Sequence, residues 1–95
     1  MSEKQDLKVV HLVDKNRFEI DLEGDVAELD YGLHNGVISF THTGVPKALE
    51  GRGIGGFIVK AGLEHAREKG YSVIPLCPFV GAYIRRHPEY KDLLR

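Results

Sequence analysis

Four of the six residues in Gly51-Arg52-Gly53-Ile54-Gly55-Gly56 are glycine, and they stand where a helical pattern begins. Glycine lets successive backbone N–H groups turn into one concavity, and a helix starting there adds partial positive charge. Such a loop binds phosphate or pyrophosphate. Arg52 and Lys47 place full positive charges beside it. The competing reading is structural: the glycines let a helix pack closely on a sheet. Glu50 carries the wrong sign for an anion site, unless its side chain points away or caps the helix. A second reactive group is Cys77, the single cysteine. It precedes Pro78, which biases its backbone to extended geometry, and Pro78 suits the first position of a helix. A thiol at a helix N-terminus has a lowered pKa and is nucleophilic. The plainer reading of Cys77 is a small buried hydrophobe.

Two familiar phosphate motifs are excluded. The glycine loop matches G-x-G-x-x-G, but a dinucleotide site needs an acidic residue about 20 positions on. Val73, Ile74, Pro75, Leu76 and Cys77 occupy that neighbourhood, and none is acidic. No Gly-Lys-Ser/Thr follows, so the loop is not an ATP-type P-loop. His11, His34, His42, His65 and His87 show no metal-ligand spacing, so no metal is expected. His65 falls on the apolar face of the helical segment and reads as core. Residues 84–87, Ile-Arg-Arg-His, form with Lys91 a short basic patch. It reads as a solvated helix face or as a contact for a phosphate or an acidic acceptor.

These groups need elements to hold them. Residues 7–13 are rich in β-branched side chains and read as a strand. Residues 17–22 alternate strictly, with Phe18, Ile20 and Leu22 on one face. Residues 26–34 alternate again, and Asn35-Gly36 is a strong hairpin signal into 37–45. The two-residue loop predicts pairing of His34 with Val37, Leu33 with Ile38, Tyr31 with Phe40 and Leu29 with His42. From Gly53 to Lys69 the period changes to that of a helix. At about 100° per residue, Lys60, Glu64, Arg67 and Glu68 share one narrow arc, and apolar residues fill most of the rest. Gly70 suits the residue that ends it. Residues 71–77 give a fifth strand, and a last helix runs from Pro78 to about His87, before Pro88.

The expected fold is a mixed α/β (α+β) domain spanning 1–95, with a polar, disordered start at 1–6. A five-stranded, mostly antiparallel sheet carries one β-α-β parallel pair, formed by the fourth and fifth strands, and two main helices. A ligand is expected beyond the carboxyl ends of that pair, where both the glycine loop and Cys77 fall. The net charge of −1 lacks the basic footprint of a nucleic-acid binder. No apolar run approaches the roughly 20 residues of a membrane span, and residues 1–10 have no apolar core of a signal peptide. A single cysteine cannot form an internal disulfide, which fits a reducing, cytoplasmic setting. A monomer or weak homodimer is expected, the first strand being a sheet edge able to pair with another chain.

With these elements placed, Glu50-Gly51-Arg52-Gly53-Ile54-Gly55 resembles the Q/R-x-x-G-x-G/A loop of the GNAT superfamily of N-acetyltransferases. Gly53 and Gly55 match the motif glycines, while Glu50 departs from its Gln/Arg position. Residues 45–90 resemble the core signature of the small, single-domain members of this superfamily; the first half matches in strand order only. No helix-length segment lies between Val13 and Arg17, where larger relatives build part of the acceptor site. The resemblance implies acetyl-CoA (coenzyme A) as ligand and acetyl transfer to an amine or protein acceptor. It implies cofactor contacts from Thr43, Gly44 and Val45 at the end of the fourth strand. It likewise implies pyrophosphate contacts at the N–H groups of Gly51, Arg52, Gly53, Ile54, Gly55 and Gly56, with Lys47 nearby. A backbone N–H aimed at the thioester carbonyl contributes roughly 3–4 kcal/mol in other acyl-transfer enzymes. Three catalytic candidates follow. Cys77 is an acyl-accepting nucleophile or the acid for the departing thiolate, Tyr83 a general acid or a packed aromatic, and His42, on the apolar face opposite Leu29, a core residue or a candidate base. Two alternatives remain: a non-catalytic acetyl-CoA binding or sensing module, and a generic phosphate or nucleotide binder.

Overall fold

The structure, a computed structural model, describes residues 7–95; the expected disordered start at 1–6 lies outside the described residues. The first four strands are β1 (Val9–Leu12), β2 (Arg17–Leu22), β3 (Asp25–His34) and β4 (Val37–Gly44). They are followed by α1 (Ile54–Lys69), β5 (Ser72–Pro75) and α2 (Pro78–Arg86). Short 3-10 turns occupy Val13–Lys15, Lys47–Leu49 and Pro88–Leu93. The sheet order is β1-β2-β3-β4-β5, antiparallel except for the parallel β4–β5 pair. Among the described residues no helix is long and apolar enough to cross a membrane.

The Asn35-Gly36 turn has positive φ at both residues, 50° and 77°. This is the backbone of a tight hairpin whose twist matches its strands. It sets the expected pairs His34–Val37, Leu33–Ile38 and Tyr31–Phe40. The expected Leu29–His42 pair does not form. A β-bulge shifts the register, so Asp30 faces His42 and Leu29 faces Thr43. Thr41 is the extra residue, and its hydroxyl donates to the Asp30 carbonyl at 3.3 Å. One inserted residue moves every later side chain to the other face. His42 is therefore not on the apolar face; it is exposed on the sheet face away from the helices, and Thr43 takes the inward place.

α1 lies across the sheet, burying Ile54, Ile58, Val59, Leu63 and Ala66 against Ile20, Leu29, Ile38 and Phe40. Gly62 marks the closest approach. A Cβ there would stand 2.7 Å from Leu29 Cδ2 and 2.9 Å from Phe40 Cε1. Alanine gains about 1 kcal/mol of helix propensity over glycine, but overpacking costs about 1–3 kcal/mol. Leu29 and Phe40 are fully buried and have nowhere to retreat. Gly62→Ala is therefore expected to lower the urea midpoint of unfolding; an unchanged or raised midpoint would show that the core yields.

The end of the chain covers the β5 edge, which the sequence did not reveal. Tyr90 is buried and donates to Glu64 at 2.5 Å, and Arg67 reaches the Glu89 carbonyl and Asp92. Leu94 forms an isolated parallel bridge with Val73. At the other edge, β1 packs through aromatic rings. His11 stacks on Phe18 at 4.1 Å, meets His65 edge-on at 4.6 Å, and its Nε2 lies 2.6 Å from the Tyr31 hydroxyl. Burial holds both histidines below the ordinary imidazole pKa. His65 and Lys69 lower His11 further, and Lys69 outweighs Glu68 at His65. Both rings are thus neutral in the fold while the unfolded chain takes up protons as pH falls through about 6.5. Stability is lost on that acid side. Tm is expected to fall between pH 7.5 and about 5.5, and to fall less in His65→Phe; equal slopes would remove His65 as the cause.

Candidate functional site

β4 and β5 pair from Val37–Ser72 to Phe40–Pro75 and then separate. The last tie is the Cys77 N–H donating to the Phe40 carbonyl at 2.9 Å. Beyond it, Thr41–Gly44 pair with β3 only. Their β5-facing N–H and C=O groups are left as an open strand edge, able to accept an extended ligand as an added strand. The bulge at Thr41 begins where the pairing stops, so the same irregularity opens the fork and turns Thr43 inward.

The glycine loop continues this edge. Gly51 and Gly53 adopt left-handed backbone, with φ of 82° and 75°. A side chain would be strained there. Gly53 is the N-cap of α1, and its carbonyl accepts the first helical bond from Phe57 at 3.0 Å. The N–H groups of the first turn, at Ile54, Gly55 and Gly56, have no partner within the helix. Gly55 also serves packing, since a Cβ would stand 2.8 Å from Phe79 Cζ and 3.4 Å from Val45 Cγ2. The packing reading of the loop therefore holds at Gly55, while Gly51 and Gly53 supply the backbone turn that an anion cradle would need. Gly51 and Gly53 shape the backbone, and Gly55 brings the helix end close to α2.

A cavity of about 390 Å³ opens over this loop. Of the expected cofactor residues, Thr43, Val45, Gly51, Gly53, Ile54, Gly55 and Gly56 line it. Gly44 lies at the end of β4 outside the lining, and Lys47 and Arg52 are exposed beside it. Leu49 and Phe79 also line the cavity, and sequence reasoning missed both. Leu49 sits in a turn with no periodic pattern, and Phe79 reads as an ordinary residue after a helix-starting proline. Glu50 lines the cavity too. It does not cap α1, because the N-cap is Gly53 and no side chain bonds there.

Cys77 is the N-cap of α2, in extended backbone with φ −76° and ψ 126°. Its Sγ lies 3.4 Å from Thr43 Oγ1, bridging the fork. Burial pushes the thiol pKa up, but the Thr43 hydroxyl and the N–H groups of Val80 and Phe79 outweigh it. The net result is a thiol below its ordinary pKa, as at a helix N-terminus. Cys77 does not line the cavity itself; it meets the lining through Thr43. Tyr83 is buried, stacks on His87 at 3.9 Å and packs near Gly56. Burial, then the Glu89 carboxylate, raises its pKa. It does not line the cavity. His42 is also outside it, on the opposite face of β4.

On that face Glu28, Asp30 and His42 bring potential ligand atoms within 4.8 Å of one another, which sequence spacing did not suggest. The Arg17 guanidinium already engages both carboxylates, at 3.4 Å from Glu28 and 2.6 Å from Asp30. It supplies the positive charge that a cation would bring.

The profile of the GCN5-related N-acetyl-transferase family matches residues 17–93. Protein NATD1 of Mus musculus is 29% identical over 94 residues, spanning 94% of this chain and 86% of that protein. The NMR solution structure of a GCN5-like protein from Staphylococcus aureus superposes with a TM-score of 0.76 at 30% identity. It covers 97% of this chain and 91% of that one. The family match spans most of the sequence and the fold superposes over nearly all of it, and the chain belongs to the GCN5-related N-acetyltransferase family of transferase enzymes.

Proposed function

We propose that the chain binds acetyl-CoA in the cleft formed by the glycine loop and the open edge of β4, and transfers the acetyl group to an amine. The observation that carries this reading is the continuity of the two halves. An unpaired strand edge at Thr41–Gly44 and a helix start with free N–H groups meet in one cavity, which Thr43 and Val45 line together with Gly53, Ile54 and Gly55. The first suits the amide-rich pantetheine arm, and the second suits the pyrophosphate. Both charge and shape fit the chain's own residues: Gly51 and Gly53 make the cradle, and Arg52 and Lys47 flank it. Glu50 is the discordant residue; its carboxylate would repel an anion, which leaves the pyrophosphate to the backbone N–H groups.

Thr43 and Cys77 face the place where the thioester would meet the fork. The lowered thiol pKa fits either attack on the acyl carbon or donation of a proton to the departing thiolate. The family makes CoA the expected ligand, and the shape of the loop and strand edge supports this cleft as its place. A second reading, a non-catalytic CoA sensor, draws on the three-residue turn Val13–Lys15, which stands where an acceptor-covering helix would be.

Calorimetry with acetyl-CoA, CoA and ATP tests the proposal. Binding of both CoA forms, with ATP weaker, is expected. No detectable CoA binding would overturn it. Tight binding without amine transfer, hydrolysis or self-acetylation would establish the sensor instead.

A further inference from the structure

The side of β4 that faces away from the cavity carries a second set of groups. Gly44 pairs with Glu28 across the hairpin. A Cβ on Gly44 would stand 3.1 Å from His42 Nε2 and 3.2 Å from Glu28 Oε2. The imidazole and the carboxylate therefore lie together over the bare backbone at the end of the strand. His42 Nε2 is 3.5 Å from Glu28 Oε2, and Arg17 holds the other Glu28 oxygen at 3.4 Å. Arg17 is in turn fixed by Asp30 at 2.6 Å and by Glu19 at 3.4 Å. Glu28 is thus braced from behind, with its side chain 29% exposed, while His42 is 58% exposed.

His42 and Cys77 flank the same residue. Cys77 touches Thr43 on the helix side, and His42, one residue earlier, points to the open side, since successive strand side chains alternate. A thioester held at the fork would have a thiol on one side and an imidazole on the other. The acyl carbon would be approached from the open side, where no helix of the described residues stands in the way.

We propose that Glu28 is a positioning residue that turns His42 into the proton acceptor for the incoming amine. This rests on the acetyl-transfer reading above. Glu28 faces Nε2 and so favours the tautomer with its proton there, which leaves the Nδ1 lone pair free. As the amine nitrogen bonds to the acyl carbon, its N–H bond breaks and the proton moves to Nδ1. The imidazolium that results stands beside the Glu28 carboxylate, and its exposure lets the proton pass to solvent. The leaving thiolate takes its proton separately, on the Cys77 side. The acceptor is then a primary amine presented from solvent rather than a ligand enclosed in a pocket, because the His42 side chain is itself exposed to solvent. A lysine side chain or a peptide N-terminus fits that approach better than a small free amine.

The test uses acetyl-CoA with a lysine-containing peptide blocked at its N-terminus, an unblocked peptide lacking lysine, and spermidine. His42→Ala is expected to lower kcat on the peptide acceptors by about a hundredfold or more. Glu28→Gln is expected to lower kcat with little change in KM for the amine. The double variant should fall no lower than His42→Ala alone, since Glu28 acts only through the ring. Added imidazole should restore part of the lost rate in His42→Ala. CoA affinity and Tm should be unchanged in all three variants, because the pair lies on the face opposite the cofactor cleft. Additive losses, a change confined to KM, or full activity in His42→Ala would overturn the role of the pair. No transfer by the unaltered protein to any of the three acceptors would overturn the amine-transfer reading itself.

Discussion

Cys77→Ala is expected to bind CoA as the unaltered protein does and to transfer acetyl groups at least about a hundredfold more slowly. The thiol sits behind Thr43, outside the lining of the cavity, so its removal takes away no surface of the cleft proposed for CoA. What it takes away is a thiol whose pKa the Thr43 hydroxyl and the first-turn N–H groups of α2 hold below its ordinary value. Cys77→Ser tests the proton-donating role with the packing kept. A hydroxyl keeps the contact with Thr43 but holds its proton far more tightly, so a proton-donating role fails in both variants. Mass spectrometry after incubation with acetyl-CoA reads the other role directly: an acetyl group mapping to Cys77 marks it as nucleophile. Turnover unchanged in Cys77→Ala would remove the residue from the mechanism.

The second large effect is expected at Gly53. Its φ of 75° lies in the left-handed region, where an alanine costs about 1–2 kcal/mol. Among the described residues no atom stands within 4 Å of a Cβ built there, so the core does not suffer. The strain falls on the loop, which relaxes by turning its N–H groups out of the concavity. Gly53→Ala should therefore weaken CoA binding by roughly tenfold or more, at about 1.4 kcal/mol per decade, while Tm changes little. Calorimetry and a thermal melt on the same sample check both halves. A large drop in Tm with affinity retained would make Gly53 a stability residue instead. Gly51→Ala, at φ 82°, offers an independent repeat.

Most of the architecture was legible because each element announces itself locally. Alternation at 17–22 and 26–34, the Asn35-Gly36 turn, the change of period after Gly53 and the glycine at 70 place the strands and α1 within a residue or two. The positions of Cys77 and Pro78 at the start of α2 were equally plain. The bulge was not. Thr41, His42 and Thr43 are all polar, so no apolar pattern marks where an extra residue enters the strand. That one omission put His42 on the wrong face and hid the pairing of Thr43 with Cys77, which depends on a contact 34 residues apart in the chain. The segment Pro88–Leu93 was hidden for a different reason: its role is set by where Arg67, Glu64 and Val73 lie in space. The carboxylates around Arg17 read as a polar strand face, and only the pairing of three strands gathers them.

The bulge has a consequence for how this sheet could change over time. Before Thr41, even-numbered residues of β4 point inward, as Ile38 and Phe40 do; after it, odd-numbered ones do, as Thr43 does. A single residue thus sets the parity of the strand. The chemical inventory of the two faces is assigned by counting rather than by composition. A lineage that gained or lost one residue here would exchange imidazole for hydroxyl at the fork with every reactive side chain still present in its sequence. In this small domain, length at one position is as consequential as identity at any other.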